Sequence, residues 1–254
     1  MSFSDDELAR YARHIVLREF GGAGQARLKR ATVALVGAGG IGSPAIQYLA
    51  AAGIGRLRLI DDDRVDVSNL QRQAIFRADD AGAPKVEAAR AAAARLNPHV
   101  AVEVRTARID EGNAAALIEG ADAVIDGSDN FATRLAIADA ALAARVPLVS
   151  AAVAQFEGQL AVYRGWEAAL PCYRCFVGAV PEREAGSCAE DGVLGPAAGV
   201  LGTLAAVEAV RAVAPFGEDP AGRLLLVDLL AGRFRTLRLP KDPGCPACGT
   251  RSAD

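Results

Sequence analysis

Between Thr32 and Pro44 the chain leaves few conformational options. Thr32 to Val36 is a short apolar run with β-branched residues, and it ends in Gly37-Ala38-Gly39-Gly40-Ile41-Gly42. Ser43-Pro44 follows, and such a proline is tolerated in the first turn of a helix. Strand, glycine turn and helix are therefore expected in that order. A second strand is expected at Arg56 to Asp61, which puts Asp61 about 20 residues beyond the glycines, as in a dinucleotide fingerprint. Glycines let backbone N–H groups approach phosphate, a helix amino terminus favours negative charge, and a strand-end carboxylate accepts from ribose hydroxyls. Gly37, Gly39, Gly40, Gly42 and Asp61 thus form a candidate nucleotide cradle, with a purely structural turn as the alternative. The motif alone does not choose between NAD and ATP.

The same alternation continues. Helices are expected from Pro84 to Asn97, near Glu111 to Glu119 and from Phe131 to Ala144, with strands at Val100 to Arg105, Ala123 to Asp126 and Pro147 to Ala152. This order implies an α/β, Rossmann-like, doubly wound, mostly parallel sheet. After Ala154 the rhythm breaks. A strand at Gln159 to Arg164, a helix at Ala197 to Ala214, and strands at Leu224 to Leu229 and Phe234 to Leu239 are expected to extend the sheet with antiparallel strands. At 254 residues and 52% hydrophobic the chain can bury a large core, so it reads as one unit. Its parts are an amino-terminal helical arm (1–30), in which Leu8, Tyr11 and Ile15 share a helix face, a nucleotide-binding half (31–154) and a second half (155–254).

Past the second strand lies a polar loop, Asp61 to Gln73, followed by Pro84-Lys85. Ligands of doubly wound sheets bind at the carboxyl ends of the strands, so Arg72 and Lys85 are placed to meet a polyphosphate; a solvated charged loop is the plainer alternative. Asp129-Asn130 holds the equivalent place after a later strand, where it can bind Mg²⁺, cap the next helix, or both. The two histidines, His14 and His99, fall where structural or surface roles are expected, which gives hydride transfer no obvious proton-transfer group.

Cys172-x-x-Cys175 and Cys245-x-x-Cys248 supply four thiolates in two knuckles, matching a closed tetrahedral zinc site; a redox dithiol and unmetallated core thiols are the competing readings. Cys188 stands apart beside Glu190 and Asp191, which would raise its thiol pKa, so a covalent role competes with an accessory one. Four paired cysteines and an amino terminus without the apolar core of a signal peptide lead to the expectation of a cytoplasmic protein. The net charge of -3 gives no general attraction for nucleic acid or anionic membrane, and the apolar stretch around Gly192 to Val207 is expected to be partly a buried helix, not a span.

Taken with Tyr11-Ala-Arg13, Ser68 to Gln73, Asp126 to Asn130, Pro147 to Ser150, Glu157-Gly-Gln159, Gly192 to Gly199 and Gly244 to Gly249, these motifs make nearly the whole chain similar to the MoeB/ThiF/HesA family of adenylating enzymes, which includes the core of ubiquitin-activating enzymes. The resemblance implies ATP-dependent adenylation of the carboxyl-terminal glycine of a ubiquitin-like sulfur carrier protein, with pyrophosphate released. It implies that Asp61 holds the ribose, that Asn69, Arg72 and Lys85 hold the phosphates with Asp63, Ser68, Gln73 and Asn130 around them, and that Asp129 holds magnesium. It further implies a homodimer in which Arg13 reaches the partner's ATP site. Some relatives use a cysteine near Cys188 covalently. No fused rhodanese-like domain is expected after Asp254, and a sulfurtransferase or cysteine desulfurase is a further expected partner. Departures are small: Ser128 where threonine is common, His14 where glutamine is common, and an individual loop at Val180 to Gly186. An NAD-dependent oxidoreductase, a non-catalytic scaffold and an adenylating enzyme for another substrate are the rivals; NAD gives Arg72, Lys85 and the knuckles no role.

Overall fold

A computed structural model describes residues 3–178 and 192–249. The arm folds as α1 (Asp5–Ile15) and α2 (Gly21–Arg30). Ser4 and Glu7 form a reciprocal capping box at the start of α1, which stops the helix fraying there. Tyr11 is buried against Gly53, and its hydroxyl accepts from Asn97 Nδ2 at 2.8 Å. Helix α2 is unannounced by the sequence because three of its first four residues are glycine. Burial of Gln25 and Leu28, not intrinsic propensity, holds it.

The expected alternation follows: β1 (Thr32–Val36), α3 (Gly42–Ala52), β2 (Arg56–Ile60), α4 (Lys85–Leu96), β3 (Ala101–Arg105), α5 (Ala114–Ile118), β4 (Ala123–Asp126), α6 (Phe131–Ala144) and β5 (Leu148–Ala154). Helix α5 starts later than the composition suggests, because Asp110 accepts from the backbone of Gly112 and Asn113 and holds that stretch as a turn. Strand β6 (Glu157–Tyr163) returns antiparallel from β5 through the tight Gln155-Phe156 turn. Then come α7 (Tyr173–Val177), α8 (Gly195–Val213), β7 (Arg223–Asp228) and β8 (Arg233–Arg238).

The eight strands lie in the order β3-β2-β1-β4-β5-β6-β7-β8. Pairing is parallel from β3 to β5 and antiparallel from β5 to β8. This is the doubly wound, mostly parallel sheet with antiparallel additions that the alternation implied. Side chains of β1 divide between two cores: Val33 and Leu35 join the core with α3, α4 and α8, while Ala34 and Val36 join the one with α5 and α6. Helix α8 is long and apolar enough by composition to cross a membrane, yet Ala198, Leu201, Gly202 and Ala205 are buried against α3 and the sheet. Gly202 permits that approach, since a Cβ there would stand 2.2 Å from the Ile41 carbonyl oxygen.

Candidate functional site

Strand order reverses between β1 and β4, and in open α/β sheets the crevice at that reversal binds ligands. A cavity of about 1730 Å³ opens there. Gly37 turns out of β1 with φ +85°, and a Cβ on it would lie 3.0 Å from the Gly127 carbonyl oxygen at the end of β4. Gly39 and Gly40 face the cavity. Gly42, by contrast, is a packing glycine: its Cβ would stand 2.0 Å from the Gly37 carbonyl oxygen, and it does not line the cavity.

The carboxylate of Asp61 braces this turn. Its Oδ2 accepts from the Ala38 N–H at 2.7 Å and its Oδ1 from the Asp63 N–H at 2.8 Å. Burial pushes the Asp61 carboxyl above its ordinary value, against the pull of Lys85. Lys85 opens α4; its backbone N–H donates to the Asp63 carbonyl, and its buried Nζ donates to Asp63 Oδ2 at 2.7 Å. Arg72 lays its stem over the glycine turn, with Cδ 3.6 Å from where a Gly40 Cβ would be, and Nη1 donates to the Ser68 carbonyl at 3.3 Å. The turn Val67–Asn69 that precedes it is fixed by Asp66, which accepts from both the N–H and the hydroxyl of Ser68. Asn69 and Gln73 line the same wall, and Gln73 Oε1 is buried without a partner among the described residues. Ser68 supports the wall without lining it.

Across the crevice, Asp129 is exposed to the cavity and makes no hydrogen bond or ion pair among the described residues. Asn130 also lines it, and caps α6 by accepting from the Thr133 N–H at 2.9 Å. The composition did not single out Arg134, which reaches back from α6 to the cavity wall and pairs with buried Asp126 at 3.1 Å. A lone cation among Phe131, Leu135 and Ile137 was the available signal. Nor did it single out the opposite half, where Ala152, Val153, Phe176 and Val177 make an apolar wall from β5 and α7. The charged half thus suits a polyphosphate, while the other half is more apolar and also carries Glu157 and Gln159.

Two groups of expected residues lie elsewhere, and a third is not among the described residues. Arg13 is exposed on α1 and does not line this cavity. Cys188 and the Val180 to Gly186 loop fall outside the described residues. The four knuckle cysteines converge, with Cys172 Sγ 3.5 Å from Cys245 Sγ and Cys175 Sγ 3.4 Å from Cys248 Sγ, all four within 4.8 Å of one another. Sulfurs of a tetrahedral zinc site with bonds of about 2.3 Å are about 3.8 Å apart, so the cluster fits that ion. Burial pushes the Cys172 and Cys175 thiols up, while at Cys245 hydrogen bonds from its neighbours outweigh burial and hold the thiol down. Both histidines are structural: His14 Nδ1 is 3.0 Å from Gln25 Oε1, and His99 Nε2 is 2.6 Å from Asp6 Oδ2.

A family model described as the ThiF family matches residues 11–247. The molybdopterin-synthase adenylyltransferase of Escherichia coli (strain K12) is 44% identical over 246 residues, covering 97% of this chain and 98% of that protein. The sulfur carrier protein adenylyltransferase of Thermus thermophilus is 44% identical over 260 residues, covering 98% and 93%. The SAMP-activating enzyme E1 of Haloferax volcanii is 44% identical over 257 residues, covering 100% and 93%. Among solved structures, that of PaaA matches with a TM-score of 0.80 at 25% identity, covering 94% of this chain and 76% of that one. Escherichia coli MccB matches with a TM-score of 0.83 at 22% identity, covering 99% and 75%, a likeness of fold.

Proposed function

The chain belongs to the ThiF family, and on that premise we propose that it adenylates the carboxyl-terminal glycine of a ubiquitin-like sulfur carrier protein, as in molybdopterin or thiamine biosynthesis. One observation carries the reading: a single cavity joins a glycine cradle flanked by Arg72 and Lys85 to a wall that includes Ala152, Val153, Phe176 and Val177, and at about 1730 Å³ it exceeds the roughly 300–1,000 Å³ of ordinary ligand sites, leaving room for a nucleotide and a peptide end together.

The chemistry needs no general base. An α-carboxyl group with an unperturbed pKa of about 3.3–3.7 is already ionised near neutrality. A carboxylate oxygen bonds to the α-phosphorus of ATP, the bond from that phosphorus to the bridging oxygen breaks, and pyrophosphate leaves with the electron pair. The obstacle is repulsion between anions, so fixed cations supply the stabilisation. Arg72 offers a planar fork to two phosphate oxygens, Lys85 a point charge, and Asn69 an amide donor. Asp61, already oriented by two backbone donors, retains lone pairs for ribose hydroxyls. Asp129, which lines the cavity and has no partner among the described residues, offers an oxygen donor that suits Mg²⁺, and Mg²⁺ when bound would add positive charge to the phosphates. Arg13 completes the site of a second copy in a homodimer, and the four cysteines hold a structural zinc. A cytoplasmic location is part of this reading, supported by four cysteines in two C-x-x-C pairs that suit a metal in a reducing compartment.

An NAD-dependent reading is disfavoured by the histidines, both tied into the arm and away from the cavity. The decisive measurement is ATP–pyrophosphate exchange with each candidate carrier, followed by mass analysis for the acyl-adenylate. Arg72→Ala is expected to abolish most carrier-dependent exchange while melting like the wild type. Near-normal exchange in that variant would overturn the assignment of Arg72.

A further inference from the structure

Arg134 lies one turn inside α6, among apolar neighbours, with its side chain 11% exposed and that of its partner Asp126 1% exposed. A buried ion pair is not in itself a source of stability, so its place on the cavity wall calls for another explanation. Helical side chains lean toward the helix amino terminus, and this one does. Nη1 donates to Asp126 Oδ2 at 3.1 Å and to Ser150 Oγ at 3.2 Å; Nη2 donates to the carbonyl oxygens of Ala151, at 3.0 Å, and of Ser128. The guanidinium therefore ties the carboxyl end of β4 to the middle of β5. Asp126 adds a second tie, because its Oδ1 accepts from the N–H of Ser128 at 3.0 Å and from its hydroxyl at 2.6 Å. Asn130 is fixed from the other side as the cap of α6. Asp129 is held between two clamped residues, while its own carboxylate is free of partners among the described residues.

We propose that Arg134, acting through Asp126 and Ser128, is a positioning residue that presents Asp129 for divalent-cation-dependent nucleotide binding. The inference rests on the cavity taking ATP. A lysine keeps the charge but cannot reproduce four bonds in two directions, so Arg134→Lys isolates the geometry.

The test is calorimetric titration of full-length protein with ATP, in Mg²⁺ and in excess chelator, beside thermal unfolding. In Arg134→Lys the gain in affinity that Mg²⁺ confers is expected to shrink roughly tenfold, as for other groups that orient metal ligands, while affinity in chelator changes little. Ser150→Ala, which removes one of the four acceptors, is expected to move the same quantity less, and it carries the test if the lysine variant does not fold. An unchanged Mg²⁺ gain, or an equal loss with and without Mg²⁺, overturns the proposal alone. Failure of the wild type to bind ATP overturns the reading of the cavity and this proposal with it.

Discussion

Gly39 and Gly42 stand three residues apart, and the space around them separates function from packing. A methyl group on Gly39 would point into the cavity with Gln73 Nε2 3.8 Å away, whereas one on Gly42 would meet the Gly37 carbonyl oxygen at 2.0 Å. Gly39→Ala is therefore expected to melt within about 1 °C of the wild type, because a free site adds no packing strain, yet to weaken ATP binding by occupying phosphate space. Gly42→Ala is expected to lose about 1–3 kcal/mol of stability by overpacking. Chemical unfolding and nucleotide titration of both variants check this, and an equally destabilised pair would show that the loop is only a structural turn. The glycine spacing made the loop legible but hid this division, since a sequence shows where glycine occurs and not what surrounds it. Arg134 stayed hidden for the same reason: its partners Asp126, Ser150 and Ala151 are joined only by the pairing of β4 with β5.

Helix α1 is attached partly through side chains that titrate, Glu7 to Lys29 and Asp6 to His99 among them. Glu7 accepts from Lys29 Nζ at 2.7 Å and from the Ser4 N–H at 2.8 Å. The hydrogen bond from Lys29 holds the Glu7 carboxyl below its ordinary value, against a smaller opposing effect of burial. A carboxylate with a lowered folded pKa stabilises above its unfolded value, about 4.3, and the contribution is lost as pH falls through the folded one. Protection of α1 amides from hydrogen exchange, corrected for intrinsic rates, should thus fall on acidification below about pH 4.3. In Glu7→Gln it should be low already at neutrality and change less with acid; wild-type-like protection would mean that the other ties, Tyr11 to Asn97, His14 to Gln25 and Asp6 to His99, hold the helix without Glu7. Elements whose residues carry their own pattern were legible: β1, β2, α4, β4, α6 and the antiparallel pair β7 and β8 fall close to the expected positions. Helix α2, glycine-rich at its start, and the short α7 between two knuckle cysteines and the cavity owe their form to what they pack on, which local pattern does not record.

At the scale of the whole molecule, two ties join distant parts of the chain. Cys245 and Cys248 bring the carboxyl-terminal segment onto Cys172 and Cys175 at the edge of α7, whose Phe176 and Val177 line the cavity. Cys245→Ser is expected to abolish zinc binding and cost about 3 kcal/mol, hence roughly 10 °C in melting temperature for a chain of this size; stoichiometric zinc in that variant would exclude the four-thiolate site. The second tie is the proposed one, from Arg13 to another copy. Arg13 lies on an exposed face of α1, outside the cavity of its own chain, and makes no ion pair among the described residues. If it serves the neighbouring subunit, Arg13→Ala and Arg72→Ala damage opposite sides of each shared site. In a mixed dimer of the two variants, one site has lost both arginines and the other has both intact, its Arg72 from one chain and its Arg13 from the other. Random exchange of two equally abundant inactive variants makes half the dimers mixed, so a two-fold assembly should recover about a quarter of wild-type exchange activity. Each variant alone should remain nearly inactive. Recovery of nothing after demonstrated subunit exchange would place Arg13 in its own chain's chemistry or in none, whereas the expected quarter requires that ATP is bound by one chain and completed by the next.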